Sequence, residues 1–174
     1  EILSEIIRIG VPAGLQGTVF SISNLVIQSR INALGSVIVA GNSAAVNIED
    51  FVYIGMIGFS QACITFTSQN VGAGRYDQIK KIMWLTLALN IISGYVVGLI
   101  IRLNGTFFLS LYTNDAAVVD AGMYRLKYVT YWLFLNGVMD IFVCSMRGMG
   151  QSTLPTLLSL AGICGLRLLY IAIF

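Results

Sequence analysis

The sequence predicts an all-α, polytopic membrane helix bundle, and three observations carry the prediction. Only 10% of the 174 residues are charged, against 57% hydrophobic, with a mean hydropathy of +0.84. Soluble domains run near about 25% charged, so lipid rather than a polar shell must cover this surface. The apolar residues come in long unbroken runs, not in the alternating segments of about ten residues that mark membrane barrels. Helices are the other structure that satisfies its own backbone in lipid. Glycine is abundant at 18 and proline scarce at 2, which suits helices packed closely through small residues.

The same composition excludes several classes. A net charge of +2, with no basic run beyond Arg75–Lys81, gives no reason to expect a nucleic-acid partner. There is no histidine. Cys63, Cys144 and Cys164 lie far apart in apolar runs, a pattern unlike a disulfide framework or a zinc site. No metal and no cofactor are therefore expected. The chain starts at Glu1, shows no signal peptide and stops at Phe174 inside an apolar run. It is expected to be an internal piece of a longer membrane protein.

A spanning helix needs roughly 20 apolar residues, and five stretches qualify. The first covers residues 9–28, entered through Gly10-Val11-Pro12, with Pro12 suited to a first turn. The amphipathic EILSEIIR before it is expected to lie at the membrane interface, and NALGS at Asn32–Ser36 reads as the following turn. The second covers residues 40–71, about 45 Å of helix, longer than a hydrocarbon core of about 30 Å. Gly72-Ala73-Gly74 ends it, as glycine ends helices. The third covers residues 82–101, where Gly94 and Gly98 form a G-x-x-x-G pair that suggests a close crossing. Between Thr106 and Asp120 an interfacial piece is expected, with Asn114-Asp115 as a helix start. The fourth covers residues 128–146, flanked by Arg125 and Lys127 and by Arg147. The fifth runs from Leu154-Pro155 into residue 174. Arg8, Arg75, Lys80, Lys81 and Arg147 then share one side, and Arg30, Arg102, Arg125 and Lys127 the other. The densest short basic loop, Arg75–Lys81, marks the cytoplasmic side.

Ionisable residues inside a membrane are costly and mark function. Here they are Glu49, Asp50, Asp140 and Arg167. On the second stretch, helical spacing aligns Ser43, Asn47, Asp50, Gly58, Gln61, Thr65 and Ser68 on one polar or small face. Glu49 stands at its edge, in line with Tyr53, Ser60 and Thr67. On the fourth, Asn136, Asp140 and Arg147 share a face. Gln16, Asn24 and Gln28 give the first a weaker polar side. Carboxylates on such faces can carry H⁺ or Na⁺, with an amide oxygen such as that of Asn136 assisting. The candidates for ion coupling are thus Asp140, Glu49 and Asn136. Those for a substrate cavity are Gln16, Asn47, Asp50, Gln61, Tyr131 and Arg167. Structural ion pairs or capping hydrogen bonds are the alternative roles for the charged members. Arg167, about 18 Å into the fifth helix, needs a partner such as Asp140 or Glu49. Tyr131, Trp132 and Phe134 can face a flat cationic ligand or simply pack.

The chain resembles the second half of a MATE (multidrug and toxic compound extrusion) transporter of the common bacterial branch. The resemblance rests on IGVPAGLQGTVFSISN at Ile9–Asn24, AGNSAAVNIEDF at Ala40–Phe51 and FTSQNVGAGRYDQIKK at Phe66–Lys81. LNGVMDIFVCSMRGMGQSTLP at Leu135–Pro155 and Cys-Gly-Leu-Arg at Cys164–Arg167 add to it. It implies twelve helices in two six-helix lobes, of which this chain would hold helices seven to ten and most of eleven. It also implies a bacterial inner-membrane location and export of organic, often cationic compounds against inward H⁺ or Na⁺. The lobes would alternate access to the two sides. One branch of the family carries a carboxylate on the first helix of this lobe, but Gln16 to Phe20 contain none. The same branch has an aspartate where Asn136 stands, while here the acid is one turn on, at Asp140. The coupling site is then expected at Asp140 and Glu49, or wholly in the missing N-terminal lobe.

Two other classes are set against efflux. A lipid-linked glycan flippase of the same superfamily would favour a more basic cavity than Arg167 alone offers. An intramembrane enzyme would need catalytic residues, yet the chain lacks histidine and any paired Ser/Lys or Asp/Asp motif. Lipid, a small organic substrate and the N-terminal lobe are the expected partners.

Overall fold

A computed structural model describes residues 2–165, and every regular element among them is helical. The helices are α1 (Ile2–Asn32), α2 (Ser36–Gly72), α3 (Tyr76–Leu103), α4 (Gly105–Ser110), α5 (Ala116–Gly148) and α6 (Thr153–Ser159), the last continuing as a π-helical turn over Leu160–Gly165. Among the described residues, Ile9–Asn32, α2, α3 and α5 are long and apolar enough to cross a membrane. The architecture is an all-α, multi-pass bundle.

Tight turns set its topology. Gly74 takes φ 70°, a left-handed conformation that glycine adopts without a Cβ clash. The N–H of Arg75 then donates back to the carbonyl of Asn70 at 2.8 Å, closing α2. Gly150 (φ 82°) repeats the device after α5, where the N–H of Gln151 donates to Met146 at 3.0 Å. The first turn reverses the chain, so α3 runs antiparallel to α2. A short α4 returns it, so α5 runs parallel to α2 and antiparallel to α3. These three helices form the packed centre, while α1 lies mainly against α6.

The core has two apolar clusters. One gathers Ala45, Ile48, Val52, Met56, Leu126 and Leu133, among others. The second, towards the Gly74 end, joins Cys63, Leu87, Ile141 and Cys144. Glycine lets the backbones meet. A Cβ on Gly94 would stand 3.0 Å from Met56 Sδ of α2, and one on Gly98 would stand 3.3 Å from the Thr130 carbonyl of α5. The G-x-x-x-G pair therefore serves two crossings rather than one.

Several boundaries differ from the sequence reading. Residues 2–8 are helical and continuous with the Ile9–Asn32 span, since α1 runs unbroken from Ile2 and carries Pro12 inside it rather than in its first turn. Proline there costs one i→i−4 hydrogen bond, yet the helix continues on both sides. The fourth spanning helix does not begin near Tyr128. Asp115 caps α5, its carboxylate accepting from the Ala117 N–H at 2.9 Å. Arg125 and Lys127, expected as flanking loop charges, therefore lie inside the helix. The stretch between Thr106 and Asp120 divides into the short α4 and the first turn of α5. Of the fifth stretch, Thr153–Gly162 is described as a short apolar helix. Arg167 lies outside the described residues.

Candidate functional site

α2 carries two polar lines, and packing assigns them different surroundings. The inner line holds Asn42, Glu49, Tyr53, Ser60 and Thr67; all are buried except Tyr53, which is half-buried. Glu49 is 7% exposed and receives both forks of Arg125: Nε to Oε1 at 3.0 Å and Nη2 to Oε2 at 2.8 Å. The third guanidinium nitrogen, Nη1, donates to Asn42 Oδ1 at 2.7 Å. Parallel packing of α2 and α5 makes this possible, because Arg125 leans along α5 towards the level of Glu49. A bidentate pair of this kind is the strong form of ion pair. A coupling ion at Glu49 would have to displace Arg125.

One turn further along α2, Tyr53 donates its hydroxyl to Asp140 Oδ2 at 2.7 Å. This is the second polar bridge between α2 and α5, and it lies within the spanning part of both helices. Asn136 is exposed, and no hydrogen bond is described between it and Asp140. Asp140 and Arg147 remain close enough to interact electrostatically. Arg147 also reaches α1, where Nη2 donates to Gln16 Oε1 at 2.5 Å. Thr156 Oγ1 donates to the same oxygen at 3.4 Å. Gln16, 8% exposed, is therefore a tie among α1, α5 and α6 rather than an open cavity wall. Ser152 adds a bond from its Oγ to the Ile9 carbonyl at 3.0 Å.

Asn90 of α3 completes the interior. It is fully buried, and its Nδ2 donates to the Met56 carbonyl at 3.0 Å. Its side chain fills the space that a Cβ on Gly137 would need.

The outer line of α2 is Ser43, Asn47, Asp50, Gly58, Gln61, Thr65 and Ser68, and every member is exposed. Asn47, Asp50 and Gln61 thus stand on one open face, as the periodicity implied. Tyr131 is exposed on α5, but its ring is engaged: the Arg102 guanidinium lies 5.8 Å from its centroid, and Trp132 meets it edge-on at 5.1 Å. Arg102 thus occupies a place that the sequence reading offered to a cationic ligand. Among the described residues no cluster of His, Cys, Asp or Glu could hold a metal ion.

Sequence reasoning missed Arg125 as the partner of Glu49. The Asp115 start was visible and, carried through, would have put Arg125 more than two turns inside the helix. Tyr53 was seen in line with Glu49, but its reach to Asp140 depends on the α2–α5 register, which no local signal fixes.

A bundle with four helices long and apolar enough to cross a membrane among its described residues, two of them tied through Glu49 and Asp140, is a multi-pass membrane protein. The chain belongs to the MATE family: the family model described as MatE matches residues 12–173. It is 28% identical over 166 residues to the probable multidrug resistance protein YoeA of Bacillus subtilis (strain 168), covering 95% of this chain and 36% of that protein. It is 23% identical to the probable multidrug resistance protein NorM of Thermotoga maritima, covering 94% of this chain and 35% of that protein. A third relative, the multidrug export protein MepA of Staphylococcus saprophyticus, is 23% identical, with 92% and 35% covered. The chain spans about a third of the length of these relatives.

Proposed function

We propose that this chain is part of the C-terminal lobe of a secondary active efflux transporter in the bacterial inner membrane. The transporter exports organic, often cationic compounds by antiport with H⁺ or Na⁺. The observation that carries the reading is the Tyr53–Asp140 hydrogen bond between two spanning helices. A carboxylate so placed is costly unless it has a task. Charged, it holds the Tyr53 hydroxyl and ties α2 to α5. Loaded with H⁺ or Na⁺, it is a weaker acceptor, and the tie slackens. A bond whose strength depends on ion occupancy is what coupling requires of a two-state element. Asp140 is favoured over Glu49, whose two oxygens already serve Arg125.

The exposed line through Asn47, Asp50 and Gln61 supplies the polar wall of the substrate path, facing the N-terminal lobe of the same protein. The names of the relatives support multidrug efflux as the activity. The test is Asp140→Asn in the full-length protein, assayed as dye efflux from vesicles under imposed H⁺ and Na⁺ gradients. Gradient-driven efflux is expected to be abolished, with insertion and yield unchanged. Undiminished efflux would remove Asp140 from coupling.

A further inference from the structure

The face of α3 turned away from the bundle is apolar along its length: Leu85, Leu89, Ile92, Val96, Leu99 and Leu103 are all exposed. Lipid is the medium that suits such a face. Trp84 stands near one end of it and Arg102 near the other, and the roughly 18 helical rises between them span about 27 Å. That matches a hydrocarbon thickness of about 30 Å. Arg102 therefore sits where acyl chains give way to headgroups. Exposed Tyr124, Tyr128, Tyr131 and Trp132 gather towards the same end, as aromatic belts do at that boundary.

Arg102 is held in place there. Its guanidinium lies 5.8 Å from the Tyr131 ring centroid, and Trp132 braces that ring. Beside it opens a crevice of about 40 Å³ between α3 and α5, lined by Tyr95, Gly98, Leu99, Arg102, Thr130 and Tyr131. Gly98 keeps it open, since its missing side chain would point at Thr130. Drug-sized ligands take pockets of about 300 Å³ or more. This crevice admits only a small group. The one ion pair among the described residues is Arg125–Glu49, so no described carboxylate neutralises Arg102. Lys127, exposed and one turn before Tyr131 on the same face of α5, adds a second positive charge nearby.

We propose that this crevice is a phospholipid site. The phosphate of an anionic headgroup sits against the Arg102 guanidinium, with Tyr131 beside it at headgroup level. The acyl chains lie along the Leu99, Val96 and Ile92 face. Arginine suits the task because its planar fork matches phosphate oxygens. The site is independent of the transport reading.

The experiment is native mass spectrometry of the full-length protein with phosphatidylglycerol, phosphatidylcholine or inorganic phosphate added. The wild type is expected to hold phosphatidylglycerol in preference to phosphatidylcholine. Arg102→Gln is expected to weaken the tightest phosphatidylglycerol adduct about fivefold, and Arg102→Lys to weaken it less. Tyr131→Leu, at an exposed position, is expected to weaken it as well. Equal phosphatidylglycerol binding by wild type and Arg102→Gln overturns the proposal. Displacement of the lipid by inorganic phosphate at equal concentration also overturns it, because the site would then be one for a free anion.

Discussion

Glu49 and Asp50 are neighbours in the chain and opposites in the fold. Successive helical residues point about 100° apart, so the two acids belong to different polar lines. Glu49 is buried and clasped by Arg125 and, through it, Asn42. Asp50 is exposed, on a face shared with Asn47, Gln61 and Thr65. From the inner line, Glu49, Asn42 and Tyr53 reach side chains of α5, whereas the outer hydroxyls of Ser43, Thr65 and Ser68 bond only carbonyls of α2 itself. Polar content alone does not mark a working surface in a membrane helix. What separates the two lines is burial and pairing across helices.

The comparison can be tested by stability first. Glu49→Ala leaves Arg125 without its counter-charge and is expected to cost about 3 kcal/mol, read as the melting temperature of the full-length protein in detergent. Replacing both residues with methionine should recover most of that loss. A smaller effect is expected at the glycines of the two faces. A Cβ on Gly41 would stand 2.7 Å from the Val118 carbonyl and 2.8 Å from the Gly122 nitrogen, whereas Gly58 has nothing within 4 Å. Gly41→Ala should therefore destabilise by about 1–3 kcal/mol. Gly58→Ala should stabilise by up to about 1 kcal/mol through helix propensity, so the two substitutions differ in sign. The smallest stability effect belongs to Asp50→Ala, expected within about 0.5 kcal/mol of wild type but with altered dye efflux. If Asp50→Ala melted as early as Glu49→Ala, the division between the lines would fail.

Much of this was legible in the sequence. The fold class followed from charge scarcity and long apolar runs. The Gly74 turn, the Asp115 start and the alignment of the outer α2 line followed from local chemistry. Pairings across helices did not. Arg125 and Glu49 are separated by most of two helices, and their meeting depends on the parallel packing of α2 and α5. The Gln16–Arg147 tie spans most of the chain, and joins a weak polar side on α1 to a face of α5 read for ion coupling. Periodicity reports which residues share a face. It is silent on which face meets which.

The length of α2 has a mechanical consequence. At 37 residues it is a rod of about 55 Å, nearly twice the hydrocarbon thickness, with its midpoint near Ile54. Rocking such a rod by about 10° around that midpoint would sweep each end through about 5 Å, but move the level of Glu49 by only about 1 Å. The clasp to Arg125 thus sits close to the fulcrum, where it can persist through a swing. The far ends, at Gly35 and Gly74, are the places where left-handed glycines let the chain fold back.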